Sequence, residues 1–435
     1  MESVSGDAGS YFLNLYSQSS ERPRWLPKDI VLVEVRANGR SVSIDGITFS
    51  PLLLVAEDGS LFRLTGVARG SDSDPLELFD SPPETFNLYM NHRFKGSDLL
   101  LRAGVDQSSA LMTPLDLDQT NSAFLIGDRI FAKYYRKVSS WNREAYYYEN
   151  MADSRAITPY FGKLLDSNGL VESLMTGRLN DPKSIFALTV DAILNGDWDD
   201  VSQKVKSVGV ALGEVHGAIA DISSGSSDLS MWYSNRCMAR GDRLSQGEVA
   251  VDLGDSKYVI GVDGVIEYLS KYLSPGPSHG DFHLGQCLLD GDSVVVIDFE
   301  GEPVGESQNP FDSPYRDVSG ALRSLSYLIG VAKGPEAIGE TTEIVAQMRR
   351  EFLLGYTSTP AGNEAILGDV AIAALAFFEF EKACYELLYE RTFRPRWIEI
   401  PASSVRMVGE SLAGWSKWSA SRSIADRIET IANFY

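Results

Sequence analysis

The chain has 435 residues, more than one hydrophobic core usually organises, so its length predicts two or three substructures. Its 39 basic and 60 acidic residues give a formal charge of −21, a field that repels nucleic acids and anionic membrane surfaces and argues against both as partners. A nucleotide is not excluded, because a few local cations and a metal ion hold it.

The cysteines and the apolar runs indicate where the protein resides. Cys237, Cys287 and Cys384 are far apart and form no CxxC pair, which predicts a reducing compartment. The N-terminus lacks the basic start and continuous apolar stretch of a secretory signal. The strongest apolar run, Val370 to Phe378, is too short to span a bilayer and predicts a buried helix. We therefore expect a cytoplasmic protein without a membrane partner.

The first part of the chain, residues 1–110, is predicted to form a small β-rich cap. Short alternating runs, separated by Asn-Gly and Asp-Gly turns, lie at 30–35, 52–57 and 60–68. Two irregular stretches, Gly70 to Thr85 and Ala103 to Leu115, are typical of domain boundaries. No residue of this region points to a chemical role.

Residues 111–180 show the pattern of a β-hairpin followed by a helix, which we interpret as the N-lobe of a nucleotide-binding fold. Strand-forming runs lie on either side of a Gly127-Asp128 turn, and Asn142 is a suitable N-cap for the following helix. Three polar residues at the start of the hairpin predict a loop that binds nucleotide phosphates: Thr120, Asn121 and Ser122.

Lys133 lies on the outgoing strand of this hairpin, and Glu144 lies in the first turn of the helix that follows. A lysine on a covered strand needs an acidic partner, so the two residues together predict a ligand for the phosphates of ATP. The alternative is a solvated lysine on an edge strand. Residue type alone favours that alternative, and only the acidic residues further along the chain favour the ligand.

The segment from residue 277 to 303, PSHGDFHLGQCLLDGDSVVVIDFEGEP, carries the most chemical information. A polar loop is followed by a Gly-Asp turn, an apolar strand at 294–297 and an acidic tip. Phosphoryl transfer needs a carboxylate that accepts the proton of the attacking hydroxyl, and oxygen ligands for the metal. Asp281 precedes Gln286 by the five positions that separate the catalytic Asp from the metal-binding Asn in protein kinases. Asp298, after the strand, then stands where those kinases place their second metal ligand.

Other interpretations of this loop are open at the level of sequence. His279 and His283 flank Asp281, which makes a zinc site an alternative, although the HExxH spacing and any further Cys/His cluster are missing. For His279 we favour a structural role, in which the ring braces the loop by hydrogen bonds. Asp298 can also cap a turn after its strand, but the neighbouring Glu300 and the link to Asp281 favour the metal role.

The remaining residues, 181–435, show mainly helical spacing and are predicted to form a C-lobe with the catalytic and acceptor sites. Four residues at intervals of three and four share one predicted helical face: Lys382, Tyr385, Glu386 and Tyr389. An ammonium, a carboxylate and two aromatic rings suit the hydrogen bonds and flat apolar surface of a sugar. Asp317 and Arg323 add polar contacts or form an ion pair, and for Arg323 we favour the ion pair.

With these residues assembled, the sequence resembles the aminoglycoside-phosphotransferase-like kinases and, within them, the actinobacterial maltokinases. The resemblance rests on four blocks in family order: HGDFHLGQ, IDFEGEP, SPYRDVSGALRSLSY (313–327) and EKACYELLYERTFRPRWIEIP (381–401). The PRWLPK stretch at 23–28 is similar to an Arg-Trp-x-x-Lys element near the maltokinase N-terminus, which extends the resemblance over the whole chain.

The resemblance implies an α+β, bilobal protein-kinase-like fold, with a β-rich N-lobe, a mainly helical C-lobe and an N-terminal β-rich cap. It implies transfer of the γ-phosphoryl group of ATP, with Mg²⁺, to the anomeric hydroxyl of maltose. The product, maltose 1-phosphate, serves α-glucan and glycogen synthesis, and trehalose synthase is an implied partner.

The family pattern also implies roles for individual residues. Asp281 is the base, Gln286 and Asp298 are metal ligands, and Glu300 is a third. From the residue types and positions described above, we expect the ATP contacts from Asn121, Ser122, Lys133 and Glu144. We likewise expect the sugar contacts from His283, Asp317, Lys382, Tyr385, Glu386 and Tyr389.

Three rival functions retain part of this pattern. A glucosamine kinase of the same superfamily keeps the catalytic residues and changes the acceptor contacts, and we take the DFEGEP and SPYRDV blocks to favour maltose. An aminoglycoside phosphotransferase needs a strongly acidic acceptor pocket, which Lys382 argues against. A pseudokinase-like binding module is the most distant alternative, because Lys133, Asp281, Gln286 and Asp298 are all retained.

Overall fold

The computed structural model describes residues 3–18, 22–23, 25–69, 74–95, 99–101, 111–115, 120–220, 222, 242–243, 248–253, 257–274, 276–301, 311–414 and 423–434. Arg24 of the PRWLPK stretch, Cys237, and Glu302 and Pro303 of the DFEGEP block lie outside these residues. The chain divides into two compact units, of which the first comprises Met1–Ala152 and Thr158–Leu179 and the second Asp153–Ile157 and Asn180–Tyr435. A separate cap ending at residue 110 stays a prediction.

The first sheet of the first unit is antiparallel and belongs to the predicted β-rich region. Its strands, in spatial order, are Leu32–Ala37, Ile47–Ala56, Leu61–Arg69 and Leu76–Glu77, with Val42–Ile44 paired to the second of these. The helix Ser3–Ser17 buries Phe12 against Leu52 and Leu64 of this sheet. The strands fall on the predicted runs, whereas the helix was missed, because Gly and Ser in its first turns are weak helix formers.

The second sheet of this unit contains the predicted hairpin. Its strands, in spatial order, are Leu99–Leu101, Tyr160–Leu165, Val171–Gly177, Ile130–Tyr134, Ser122–Ile126 and Met112–Leu115. The hairpin is confirmed, with Ala123 opposite Lys133 and Gly127 in the left-handed region at φ 60°. The predicted helix is also confirmed as Arg143–Asn150, and the Asn142 side chain accepts a hydrogen bond from the Ala145 N–H.

A third helix, Pro83–Phe94, packs its buried Phe86 and Met90 into the main core of the first unit, preceded by the 3₁₀ turn Leu78–Asp80. The stretch from Gly70 to Thr85 that we read as a boundary therefore already contains a strand and the start of a helix, while residues 70–73 lie outside the described part. Pro83 at the first helical position is a favourable start that the surrounding Ser and Pro residues obscured.

The second unit is mainly helical in its described residues. Short strands pair as Lys183–Ser184 with Cys287–Asp290 and Ser293–Val296, as Asp242–Arg243 with Glu248–Asp252 and Lys257–Gly261, and as Gly276–Pro277 with Phe311–Asp312. The α-helices are Ile185–Asn195, Trp198–Ile219, Asp263–Tyr272, Pro314–Lys333, Thr342–Thr357, Pro360–Leu367, Ala371–Phe393, Glu399–Ala413 and Ile424–Ala432. Three 3₁₀ turns are Leu284–Gln286, Pro335–Glu340 and Pro395–Trp397.

The helix Ala371–Phe393 confirms the buried helix predicted for the apolar run at 370–378, since Ala371 to Phe378 are all buried. No single helix in the described ranges is both long and apolar enough to cross a membrane. Within the same ranges, one pair of helices bent by 94°, Pro360–Leu367 and Ala371–Phe393, meets that test by length and composition.

Candidate active site

The loop that carries Asp281 is held through its backbone by the helix Pro314–Lys333. Asp317 on that helix accepts the His279 N–H at 2.6 Å and the Gly280 N–H at 2.8 Å. Two residues beyond Gly280, the Phe282 carbonyl lies so close to Gly320 that a Cβ on residue 320 would meet its oxygen at 2.2 Å. The loop therefore rests directly on the helix, at a position where only glycine fits.

Asp317 is itself held by two residues that the sequence did not point to. Its Oδ2 lies 3.0 Å from Nε2 of His216, whose Nδ1 lies 2.8 Å from the Tyr356 hydroxyl. Burial alone raises the pKa of the Asp317 carboxyl, but the hydrogen bonds from His216 and from the Gly280 N–H outweigh it and lower that pKa. The carboxylate therefore stays charged in the interior and acts on the loop backbone.

His279 joins the loop to the end of the strand Ser293–Val296. Its ring is fully buried between Phe282 and Phe299, and its Nε2 lies 2.9 Å from the Ile297 carbonyl. Because Nδ1 accepts the Asp281 N–H at 3.4 Å, Nε2 must carry the proton that it donates to Ile297. The ring therefore links the backbone of Asp281 to the residue just before Asp298, as the structural role predicts.

The Asp281 carboxylate forms an ion pair with Lys382 of the helix Ala371–Phe393. The Lys382 Nζ lies 3.0 Å from Asp281 Oδ1, and both side chains are partly exposed, at 15% and 22%. A base must remain reachable by its substrate, and this exposure allows that. Lys382 thus contacts the predicted base directly. Its sugar-binding role stays a prediction, and the ion pair suggests a second role, in which Lys382 positions the Asp281 carboxylate.

The residues predicted to bind metal lie close together in the same unit. The Gln286 amide donates to Asp298 Oδ2 at 3.1 Å, and carboxylate oxygens of Asp298 and Glu300 lie within 4.8 Å of each other. Asp298 has φ 67°, a left-handed conformation that costs energy for a residue with a Cβ and is common where function requires it. Carboxylate and amide oxygens are the ligands that Mg²⁺ prefers, so this donor set fits the metal.

His283 lies beside this cluster as the cap of the 3₁₀ turn Leu284–Gln286. Its Nδ1 accepts the Gly285 N–H at 3.0 Å, so that nitrogen cannot also accept a proton or bind a metal. Burial lowers the pKa of His283, and Lys382 adds to that effect while Asp281 opposes it, which favours the neutral ring. Its predicted contact with substrate remains untested.

The four residues predicted to bind sugar lie on the helix Ala371–Phe393, and their sugar binding stays a prediction. The carboxylate among them, Glu386, already has a partner. Arg323 donates to Glu386 Oε2 through Nη2 at 2.6 Å and through Nε at 3.0 Å, and it also bonds Ser404. Arg323 therefore forms an ion pair, but its partner is Glu386 and not Asp317, the partner expected from the sequence. Asp317 and Arg323 are six positions apart on one helix, so they do not share a face. On the same helix, the ring centroids of Tyr385 and Tyr389 lie 6.4 Å apart, and Tyr389 is 41% exposed.

In the first unit, the predicted partnership of Lys133 is confirmed. The Lys133 Nζ lies 2.8 Å from Glu144 Oε2, and the Tyr135 hydroxyl donates to the same oxygen at 2.7 Å. Glu144 is buried, whereas 15% of the Lys133 side chain is exposed. The pair holds the lysine ammonium at a half-buried position, and its contact with nucleotide phosphates stays a prediction.

Asn121 and Ser122 are engaged by Arg136, which the sequence did not single out. The Asn121 side-chain oxygen accepts the Arg136 N–H at 3.2 Å, and the Ser122 hydroxyl accepts from Arg136 Nε at 2.7 Å. Arg136 also makes two bonds to Glu77 of the first sheet and lies over the Trp25 ring. Phosphate binding by Asn121 and Ser122 stays a prediction, and their observed bonds are structural.

Comparison with known proteins identifies relatives among sugar kinases. No family model matches the sequence. The glucosamine kinase of Mycolicibacterium smegmatis is 24% identical over 360 residues, which cover 72% of this chain and 83% of that protein. A second glucosamine kinase, from Streptacidiphilus jiangxiensis, is 28% identical over 134 residues, covering 29% of this chain and 30% of that protein.

Solved structures share the fold. A glucosamine kinase in complex with glucosamine, ADP and inorganic phosphate matches with a TM-score of 0.64 and 16% identity, over 91% of this chain and 97% of that one. A second crystal form of glucosamine kinase matches with a TM-score of 0.65 and 17% identity, over 91% and 98% of the two chains. The expected kinase-like α+β fold is therefore confirmed.

These relatives support one part of the sequence interpretation, the kinase superfamily, and leave the sugar acceptor open. They are kinases, which implies ATP as phosphoryl donor together with a divalent metal such as Mg²⁺. Their similarity supports the kinase superfamily expected from the sequence, on the side of its glucosamine kinases, and does not single out maltokinases.

Proposed function

We propose that this chain is an ATP-dependent kinase that phosphorylates a hydroxyl group of a small sugar, with Asp281 as the catalytic base. The observation that carries the proposal is the partly exposed Asp281 carboxylate on a loop that His279 ties to the Asp298 segment. A carboxylate that accepts the acceptor proton and a carboxylate that holds metal are the two parts that phosphoryl transfer needs. The kinase relatives support the same reaction.

Each residue has a definite part in this reaction. Asp281 accepts the proton of the sugar hydroxyl as its oxygen attacks the γ-phosphorus, and the bond to the leaving ADP breaks. Lys382 holds the Asp281 carboxylate in place through its ion pair. Gln286, Asp298 and Glu300 would hold Mg²⁺, which neutralises charge on the phosphates. Lys133, oriented by Glu144, binds phosphate oxygens of ATP.

For the acceptor, we propose glucosamine first. The relatives found over most of the chain and over most of the fold are glucosamine kinases, and one of them is solved with glucosamine bound. Two sequence blocks were taken to favour maltose, yet their site residues have other roles. Asp317 of SPYRDV holds the loop backbone, and Asp298 and Glu300 of DFEGEP belong to the proposed metal site. These residues therefore do not discriminate between acceptors.

Maltose is the second candidate, because the order of the four blocks and the end of the chain from 381 to 401 are similar to maltokinases. In that case the product is maltose 1-phosphate. Glycogen synthesis and association with trehalose synthase go with this second candidate and stay predictions.

An acceptor panel tests both candidates. Phosphate transfer from radiolabelled ATP with Mg²⁺ is measured on glucosamine, maltose, glucose and trehalose, and NMR identifies the phosphorylated carbon of each product. We expect kcat/KM for glucosamine to exceed that for maltose by about tenfold or more, a difference of ~1.4 kcal/mol in transition-state stabilisation. A preference for maltose, with the phosphate on its anomeric carbon, would establish the second candidate. ATP binding without transfer to any sugar would favour the pseudokinase alternative.

A further inference from the structure

A cavity of about 110 Å³ lies in the first unit, and none of the residues assigned to phosphoryl transfer lines it. Its walls come from the first sheet, from the helix Pro83–Phe94 and from the turn between the strands Tyr160–Leu165 and Val171–Gly177. The volume is several times what a single water molecule requires and suits a group of a few heavy atoms.

Two ion pairs with buried carboxylates line the cavity and leave its charge positive. Arg63 Nη2 lies 2.7 Å from Asp166, and Arg93 Nη2 lies 2.7 Å from Glu172, so each buried acid has its own arginine. Arg40, a further lining residue, is exposed and marks the open side of the cavity. With both acids matched, the charge of Arg40 remains in excess among the lining residues.

Arg63 has a hydrogen-bond donor for which the described part of the chain supplies no acceptor. Its Nη1 donates to the carbonyls of Tyr135 at 3.0 Å and Val171 at 3.3 Å, and its Nη2 donates to Asp166. Its Nε is buried and, among the described residues, has no hydrogen-bond partner. Leaving such a donor unsatisfied is unfavourable, and more so when it belongs to a charged group. An oxygen of a ligand in the cavity can satisfy it.

Two tyrosines also line the cavity, and the Tyr89 side chain already shares a hydrogen bond with Thr65. Burial raises the pKa of Tyr89 and of Tyr134, both of which line the cavity, so their hydroxyls stay protonated. The lining therefore offers donors and excess positive charge, a combination that suits an anion with several oxygen atoms.

We propose that this cavity is a binding site for a small oxyanion, the phosphate group of inorganic phosphate or of a sugar phosphate. The oxyanion accepts from Arg63 Nε and from the tyrosine hydroxyls, with Arg40 at the open side. For a sugar phosphate, the sugar lies toward Arg40, where the cavity opens. The site is separate from the acceptor site and gives the protein a means of sensing phosphate.

A short chain of contacts leads from the cavity to the nucleotide lysine. Arg63 holds the Tyr135 carbonyl, the Tyr135 hydroxyl donates to Glu144, and Glu144 pairs with Lys133. We infer that a ligand in the cavity changes the position of Arg63. Through Tyr135 and Glu144, this changes the position of the Lys133 ammonium group. This second step rests on the proposed role of Lys133 in ATP binding, whereas the oxyanion site does not.

Calorimetric titration of the full chain tests the site with two probes, inorganic phosphate and glucose 1-phosphate. The protein carries Lys133→Met, which weakens phosphate binding at the proposed ATP site. Arg40→Glu reverses the charge at the mouth of the cavity, and Arg36→Glu, an equally exposed change on the neighbouring strand outside the cavity, is the matched control. We expect Arg40→Glu to weaken binding about tenfold or more and Arg36→Glu to change it less than about twofold.

The probe that binds more tightly identifies the source of the phosphate group. Equal affinity in the Arg40→Glu and Arg36→Glu proteins, or no binding of either probe, would overturn the site. Arg63→Lys, which keeps the charge and removes Nε, gives a second test in which binding must also weaken. Because Arg40 is exposed, its replacement keeps the test valid even if Arg63→Lys does not fold.

The link to ATP is tested separately, in proteins with Lys133 intact. Apparent KM for ATP is measured with and without glucose 1-phosphate, and we expect a change of about threefold in the Arg36→Glu protein that is absent in the Arg40→Glu protein. Binding without this difference would overturn the link and leave the site standing. Failure of the proposed kinase activity would show as no turnover, with oxyanion binding unaffected.

Discussion

The loop at Asp281 and the hairpin at Asn121 were both predicted from polar residues, yet they use those residues differently. In the loop, the side chains that hold the backbone come from elsewhere, chiefly from Asp317, and the Asp281 carboxylate faces Lys382. In the hairpin, the side chains of Asn121 and Ser122 are themselves bound by Arg136. The Asp281 carboxylate is therefore available for chemistry, whereas the Asn121 and Ser122 side chains already have structural partners. The following predictions test this difference between the loop and the hairpin.

Asp281→Asn is expected to have the largest effect. The amide cannot accept the hydroxyl proton, so kcat should fall by roughly 10²–10⁴-fold, while affinity for ATP should change little because the base acts on the acceptor. Steady-state kinetics and nucleotide titration measure the two quantities.

The control for this change is Asp290→Asn, a carboxylate in the same unit that accepts the Asn180 N–H outside the site. We expect it to retain nearly full turnover. If Asp281→Asn also retained full turnover, Asp281 would lose its role as base and the contrast between loop and hairpin would lose its chemical meaning.

Asp317→Asn tests whether the loop depends on its support. The neutral amide weakens the bonds to the His279 and Gly280 N–H groups and to His216, so Asp281 loses its exact placement. We expect kcat to fall by about 10²-fold, as misplacement by about 1 Å does, and the free energy of unfolding to fall by about 2–4 kcal/mol.

The matched control is Glu379→Gln, a fully buried carboxylate of the same unit that pairs with Arg349 instead of the loop. It should lower stability by a similar amount and leave kcat nearly unchanged. A parallel fall of kcat in both variants, at matched stability, would mean that Asp317 contributes to folding alone.

The stability of the protein should also depend on pH through Asp317. Because the pKa of this carboxyl is lowered in the folded state, its contribution is complete above the ordinary unfolded pKa of about 3.9 and is lost as the pH falls through the lowered folded pKa. Chemical denaturation between pH 3 and pH 7 should therefore show a steeper acid loss in the wild type than in Asp317→Asn. Equal acid slopes would mean that the His216 and backbone bonds do not favour the charged form.

Lys382→Ala distinguishes a role at the base from a role in sugar binding. Removing the ammonium takes away a charge-assisted bond worth ~1.5–3 kcal/mol, so we expect kcat to fall by roughly 10–100-fold. Lys382→Arg should restore part of the turnover. A rise in KM for the sugar with kcat unchanged would instead assign Lys382 to the acceptor, as the sequence pattern predicts.

Sequence periodicity was sufficient for the elements on which these residues stand. The hairpin, the helix after Asn142 and the helix Ala371–Phe393 follow from turn residues, a cap and apolar spacing, which are local signals. The sequence could not predict the residues that bond to the site residues, because these residues are far apart along the chain. His216 lies 101 residues from Asp317, and Arg136 bonds Glu77 across 59 residues. Nothing in a single sequence distinguishes such residues from ordinary buried or surface ones, since their role depends on packing between distant segments.

Ser122→Ala should have the smallest effect, and it tests the hairpin side of the contrast. The change removes one of the bonds to Arg136, which keeps its two bonds to Glu77, so we expect the free energy of unfolding to fall by ~1 kcal/mol. Because the hydroxyl is engaged inside the unit, KM for ATP should change less than about threefold, whereas Lys133→Met should raise it strongly. Ser43→Ala, an exposed serine bonded to Thr48, is the control for loss of a surface hydroxyl. A strong rise in KM for ATP in Ser122→Ala, with no rise in Ser43→Ala, would mean that the Ser122 hydroxyl binds the phosphates of ATP. Its bond to Arg136 would then not be its main function.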